Sequence, residues 1–425
     1  MHHFTDRDGV LHAEGVPLTA IAETVGTPCY VYSTATLTRH HRVFTEVFAD
    51  LGARLCYAMK ANGNRAVLRL LTDLGAGVDV VSGGELALAL AAGAPAERIV
   101  FSGVGKSEGE LEAALRAGVH QINVESEPEL DALDAVARRL GVRAPIAIRV
   151  NPDVDAATHA KITTGRAENK FGIEWTSARR VFRRATTLEG IAVKGIALHI
   201  GSQILDLAPF EAAFGKVRDL VALLRADGVP VERLDLGGGL GVSYLDDHDV
   251  PPSPAAYAEI VRRTVGDLDC ALTIEPGRAL VGNAGVLLSR ILYRKVGITR
   301  TFLIVDAAMN DLIRPAMYEA HHAVHPVIAP PPGTDTMPMD VVGPVCESAD
   351  TFARDRSLPV SLGAGDLVAF MTAGAYCAVM AGQYNGRPLV PEVLVDGERF
   401  HVVRRRPSLA EMAALEDLPP WMEER

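Results

Sequence analysis

The sequence predicts a (β/α)8 TIM-like barrel of the α/β class, combined with an all-β domain built as a β-sandwich or β-barrel. Three observations predict it. Eight short apolar or β-branched runs, at 55–59, 78–81, 99–101, 120–124, 146–150, 194–199, 233–236 and 271–275, alternate with amphipathic helical stretches. They occupy about 250 residues, the usual extent of such a barrel, and no G-x-G-x-x-G follows the first run to favour an open doubly wound sheet. Beyond residue 285 the texture changes to strands separated by Gly and Pro turns, with few helices.

Taken in order, residues 1–35 carry a β-rich Cys29-Tyr30-Val31-Tyr32 and read as a strand and lead-in segment that joins the β domain. Residues 36–285 form the expected barrel, with helices over 83–93, 108–117, 127–140, 176–187, 208–227 and 254–268. The expected β domain comprises 1–35 and 286–425, with strands over 285–296, 301–306, 339–342, 366–371, 389–395 and 400–403. The acidic tail from Glu411 reads as a terminal helix or a frayed end.

Composition narrows the function. A chain of 425 residues exceeds one ordinary core, so two domains are expected. A net charge of -11 with no basic block argues against nucleic acid and anionic membrane as partners. The longest apolar run, 86–94, is too short to cross a bilayer, and the first residues carry no apolar signal-peptide core. Cys29, Cys56, Cys270, Cys346 and Cys377 form no CxxC pair, which suits a reducing cytoplasm and gives no zinc signature. A cytoplasmic enzyme of small molecules is the expectation.

Barrel enzymes place their chemistry at the carboxyl ends of the strands, and polar residues and glycines gather there. Lys60 follows the first run. Asp79, Ser82 and Glu85 end the second, Arg149 the fifth, His199 and Ser202 the sixth, Gly237-Gly238-Gly239 the seventh, and Glu275-Pro276-Gly277-Arg278 the eighth. An amine where apolar walls stop is disfavoured as ammonium by desolvation, which suits a Schiff-base-forming lysine; the plain alternative is a lysine that snorkels to water. Gly237-Gly238-Gly239-Leu240-Gly241 lets backbone amides approach a phosphate; alone it would also serve as a tight turn. Lysine, phosphate cradle and carboxylate at one mouth point to pyridoxal 5'-phosphate, with Glu275 keeping the pyridine nitrogen protonated and His199 stacked on the ring.

These stretches resemble the fold-type III pyridoxal phosphate decarboxylases, and within them the diaminopimelate decarboxylase family. The likeness runs through Gly26–Tyr32, Tyr57-Ala58-Met59-Lys60-Ala61-Asn62, Asp79–Glu85, Asn169-Lys170-Phe171-Gly172, His199–Gln203, Gly237–Gly239, Glu275–Arg278 and Gly374-Ala375-Tyr376. Asn310–Tyr318 and Gly343–Asp350 single out the diaminopimelate branch. The resemblance implies that Lys60 bears the cofactor, that Asp79 lies at the cofactor, and that Ser202, Gly239, Gly277 and Arg278 hold its phosphate. It implies Glu275 at the pyridine nitrogen, His199 on the ring and Tyr376 beside the cofactor and substrate. Arg278, Arg314 and Tyr318 would grip the distal carboxylate of the substrate and Glu347 its distal ammonium. Cys346 would give the proton at Cα, and Cys346 and Glu347 would enter the neighbouring subunit's site in an obligate homodimer. The implied reaction converts meso-2,6-diaminopimelate to L-lysine and carbon dioxide, the last step of lysine biosynthesis.

A substrate with a second zwitterionic centre needs both signs of charge at its far end, which Arg314 and Glu347 supply. The alternatives are an ornithine, arginine or carboxynorspermidine decarboxylase of the same class, a racemase, or a carrier of the cofactor. A racemase would pair an arginine, not Glu275, with the pyridine nitrogen. Ala308, Cys377 and the loop Phe101–Lys106 depart from the family pattern and leave room for a paralogue recruited to another pathway. His321 and His325 have helical i, i+4 spacing, but the cofactor already accounts for the chemistry, and no metal is expected.

Overall fold

A parallel sheet buried on both faces needs strands that are apolar on both sides, and the eight short runs meet that demand. A computed structural model describes residues 2–155, 170–244 and 250–423; Asn169 therefore lies outside the described residues. The runs become barrel strands one to eight: Arg54–Ala58, Gly77–Val80, Ile99–Phe101, Gln121–Val124, Ala144–Asn151, Ile191–Ala197, Arg233–Asp235 and Ala271–Ile274. All neighbours pair parallel, and strand eight closes the barrel onto strand one through Thr273↔Arg54 and Ile274↔Leu55.

The helices begin where their caps allow. Ser82, Ser107, Ser126 and Ser253 each accept a backbone N–H at the start of Gly83–Ala91, Glu108–Ala117, Glu127–Leu140 and Pro254–Val265. Such caps contribute about 1 kcal/mol each. Further helices lie outside the expected pattern, two of them flanking strand one. Thr34–Val47 precedes strand one, and Arg65–Asp73 follows it, opened by Asn64, whose side chain accepts from Ala66 N.

The described chain divides into two units, Thr36–Gly282 and a β unit of Met1–Ala35 with Asn283–Arg425. In the β unit the N-terminal strand Cys29–Ser33 pairs antiparallel with Gly285–Val296 and parallel with Glu392–Asp396. Its neighbours complete a sheet through Thr301–Val305 and Thr336–Val342 on one side and Arg399–Arg404 on the other. Thr351–Pro359 is a further strand that no apolar run announces. It lies at the sheet edge, where one side is open and Arg354, Asp355 and Arg356 are tolerated. A small hairpin, Phe4–Arg7 with Val10–Ala13, turns through Asp8 and Gly9, both at positive φ. The tail holds two short helices, Leu409–Ala413, with a Ser408–Glu411 capping box, and Pro420–Glu423. His321 and His325 share no helix, because His325 lies in strand Val324–Pro326; His321 instead hydrogen-bonds Arg356 at 2.6 Å.

Candidate active site

Strand one runs directly into a tight turn, Met59–Ala61, that carries Lys60. The Tyr57 hydroxyl donates to Asn62 O at 2.9 Å and holds that turn. Parallel pairing sets Ala58 beside Asp79 on strand two, and Lys60 Nζ donates to Asp79 Oδ2 at 2.5 Å. The amine faces a carboxylate whose side chain is wholly buried. A cavity of about 400 Å³ at this mouth is lined by Lys60, Ser82, Arg149, Phe171, His199 and Glu275.

His199 follows strand six and is half-buried, with Nδ1 accepting from Gly238 N at 3.3 Å. Burial, then the positive charges of Arg149 and Lys60, lowers its pKa well below the usual imidazole value. The ring is therefore neutral near pH 7, with Nδ1 the acceptor and Nε2 carrying the proton.

The glycine turn after strand seven is dictated by backbone crowding. A Cβ on Gly238 would stand 2.2 Å from Glu275 O, and one on Gly239, at φ 112, would stand 2.5 Å from Gly201 O. The turn is wedged between the loops that carry His199 and Glu275, so only glycine fits, whatever it binds. Beside it, Arg278 is buried and donates to Ser202 Oγ at 3.1 Å and to the Tyr244 hydroxyl at 2.5 Å. Ser202, Arg278 and Tyr244 thus form one polar group next to Gly277, a donor set suited to an anion.

Glu275 leaves strand eight with 7% of its surface exposed. Its Oε1 is buried with no hydrogen-bond partner. Burial first, and the Asp235 and Asp79 charges after it, raise its pKa well above the usual carboxylate range. An orphaned carboxyl oxygen costs free energy unless a donor reaches it, and a protonated pyridine nitrogen is such a donor. The residues at this mouth therefore fit pyridoxal phosphate.

Sequence reasoning missed several neighbours. Asp235 ends strand seven, and Asn123 on strand four donates to Asp235 Oδ2 at 2.9 Å. Glu125 pairs with Arg149 at 3.0 Å and accepts from Gly103 N at 2.8 Å. A signal existed for the latter. Gln121-Ile122-Asn123-Val124-Glu125 alternates polar with apolar, which in a two-sided strand marks a polar interior face.

The remaining expected residues belong to the β unit. Arg314 opens the short helix Arg314–Tyr318, is buried, and donates to His322 Nε2 at 2.8 Å. His322 Nδ1 donates in turn to Met371 O at 2.9 Å, which fixes the tautomer in which Nε2 is the acceptor. Tyr318 is half-buried, and Tyr376 is half-buried with φ 55. Cys346 and Glu347 are exposed on one loop; the Tyr384 hydroxyl donates to Glu347 Oε1 at 2.7 Å. That loop is tied down by the Asp350 carboxylate, which accepts from Met309 N and Val345 N, each at 2.7 Å.

Comparison with known proteins places this geometry. The family model for the pyridoxal-dependent decarboxylase, pyridoxal binding domain, matches residues 34–282. A diaminopimelate decarboxylase of Zymomonas mobilis is 46% identical over 99% of this chain and 99% of its own. One of Pseudomonas fluorescens is 49% identical over 99% of this chain and 100% of its own. The crystal structure of the M. jannaschii diaminopimelate decarboxylase in co-complex with L-lysine superposes with a TM-score of 0.94 at 35% identity, covering 99% of this chain and 100% of that one. No helix among the described residues is long and apolar enough to cross a membrane. The chain belongs to the diaminopimelate decarboxylase family of pyridoxal-dependent decarboxylases.

Proposed function

We propose that this chain is a carboxy-lyase that converts meso-2,6-diaminopimelate to L-lysine and carbon dioxide. The observation that carries the reading is a single cavity lined by both Lys60 and Glu275, the latter with one buried oxygen awaiting a donor. Pyridoxal phosphate supplies an electron sink for the pair left at Cα when carbon dioxide departs. Lys60 Nζ holds the cofactor through its aldehyde carbon, and Asp79 orients that amine. Ser202, Gly239, Gly277 and Arg278 hold the phosphate, Glu275 meets the pyridine nitrogen, and neutral His199 covers the ring. Tyr376 contributes its hydroxyl beside the cofactor.

Discrimination lies at the far end of the substrate. Arg314, with Arg278 and Tyr318, takes the distal carboxylate, and Glu347 takes the distal ammonium. Arg314 is held by His322 before any ligand arrives, so little ordering entropy is lost on binding. Cys346 gives a proton to Cα from its thiol. Cys346 and Glu347 serve the site of a second copy in a homodimer, consistent with their exposure on the Asp350-anchored loop. Five free cysteines suit a reducing cytoplasm. The test is carbon dioxide release by purified enzyme loaded with pyridoxal phosphate. Release from meso-diaminopimelate is expected; release from ornithine with none from diaminopimelate overturns the substrate.

A further inference from the structure

Behind Glu275 lies a second acid that the catalytic reading does not use. Asp235 is 1% exposed, and its two oxygens accept from Asn123 Nδ2 at 2.9 Å and from Gly237 N at 3.1 Å. Asn123 is itself oriented, because its Oδ1 accepts from Gln121 Nε2 at 2.9 Å and its amide also donates to Ser102 Oγ at 3.0 Å. Parallel pairing sets Asp235 beside Thr273, and Glu275 N donates to Gly237 O at 2.7 Å, so two-residue alternation turns both acids to the same face of neighbouring strand ends, where the Asp235 charge acts on Glu275. Two interacting buried carboxyl groups share a proton, and the neighbours decide where it sits. Asp235 has N–H donors on both oxygens, which stabilise its carboxylate; Glu275 has an orphaned oxygen instead. The proton belongs to Glu275 and the charge to Asp235.

We propose that Asp235 is a positioning residue that keeps the pair's proton on Glu275 until pyridoxal phosphate is loaded, so that Glu275 delivers the ring-nitrogen proton, and whose charge then holds that proton on the ring. The Glu275 O–H bond breaks and an N–H bond forms at the pyridine nitrogen; the pair gains one negative charge, which the pyridinium balances, so the net charge of the site is unchanged. The inference rests on the site reading given above. The other groups coupled to the pair are Asp79, Lys60, Cys56 and Tyr257. Burial pushes the Cys56 thiol and the Tyr257 phenol up, so both stay neutral at physiological pH and cannot replace the proton store. Lys60 and Asp79 pair with each other.

The experiment compares wild-type and Asp235→Asn holoenzyme, each loaded with pyridoxal phosphate carrying 15N in the ring, by 15N NMR from mildly acid to mildly alkaline pH. Asparagine keeps the shape but loses the second negative charge facing the pyridinium. The ring nitrogen is expected to lose its proton about one pH unit lower in the variant than in wild type. In parallel kcat should fall about tenfold, with KM changed less than about threefold. Asn123→Ser, which removes one donor from Asp235 while leaving both acids, should shift the nitrogen in the same direction by less, and decides the matter if the first variant does not fold. Ring-nitrogen titrations indistinguishable from wild type overturn the role of Asp235 alone. A wild-type chain that takes up no pyridoxal phosphate removes the site reading, and this inference with it.

Discussion

Glu125→Gln tests how the barrel mouth is held. The Glu125 carboxylate accepts from Gly103 N at 2.8 Å after strand three, from Gly172 N at 3.3 Å after strand five, and from Arg149 Nη1 at 3.0 Å. The acid is buried, and Arg149, with a side chain 10% exposed, lies 5.0 Å from the Phe171 ring. Glutamine can offer its one oxygen to Gly103 and Arg149, but its amide nitrogen then faces the Gly172 N–H, donor against donor. The variant loses a hydrogen bond to a charged acceptor, about 1.5–3 kcal/mol, and leaves a nearly buried guanidinium without its counter-charge. A total of about 3–5 kcal/mol follows. At about 2–4 °C per kcal/mol for a unit of this size, the midpoint of thermal unfolding should fall by about 6–20 °C. Circular dichroism melts of the two proteins at neutral pH measure it. A fall smaller than about 2 °C would refute the reasoning.

Three further outcomes are expected. Arg314→Ala should lower kcat/KM for diaminopimelate by about 30- to 1,000-fold, or 2–4 kcal/mol, while any residual release from ornithine changes little; equal losses on both substrates would remove Arg314 from distal recognition. Lys60→Ala and Cys346→Ala proteins should each be inactive alone, yet regain about a quarter of wild-type activity when co-refolded, because half the dimers are mixed and carry one intact site; no recovery contradicts shared sites. Burial raises the Asp311 pKa to about 6, so the folded state binds its proton more tightly than the unfolded chain. Stability should therefore fall as pH rises from about 4 to about 6 and then level, by up to about 3 kcal/mol relative to Asp311→Asn, as urea titrations at each pH would show. A parallel pH dependence in the two proteins would contradict that assignment.

The barrel was legible because its strands are short, apolar on both faces and separated by serine-capped helices; the observed ends moved by no more than three residues. Lys60 and Glu275 stood out because each follows an apolar strand directly at its carboxyl end. Asp235 did not, since a lone acid between Leu234 and Leu236 carries no local sign that strand eight will bring Glu275 against it. Glu125 and Gly172 are likewise joined by tertiary contact across 47 residues. The edge strand Thr351–Pro359 escaped for the opposite reason: its open side admits charges that blur alternation. The Asp8-Gly9 hairpin is legible too, since a two-residue Asp-Gly turn between paired strands is a strong local signal. Lys60 lies just past the end of strand one, but only the three-dimensional pairing of strands one and two sets a carboxylate opposite its amine.

The central claim is that the side chain of Lys60 carries pyridoxal phosphate covalently. Borohydride reduction of the loaded enzyme, followed by peptide mass mapping, tests it. A pyridoxyl group fixed on the peptide containing Lys60, with activity abolished, is the predicted result; an unmodified Lys60 in enzyme that still turns over would contradict it.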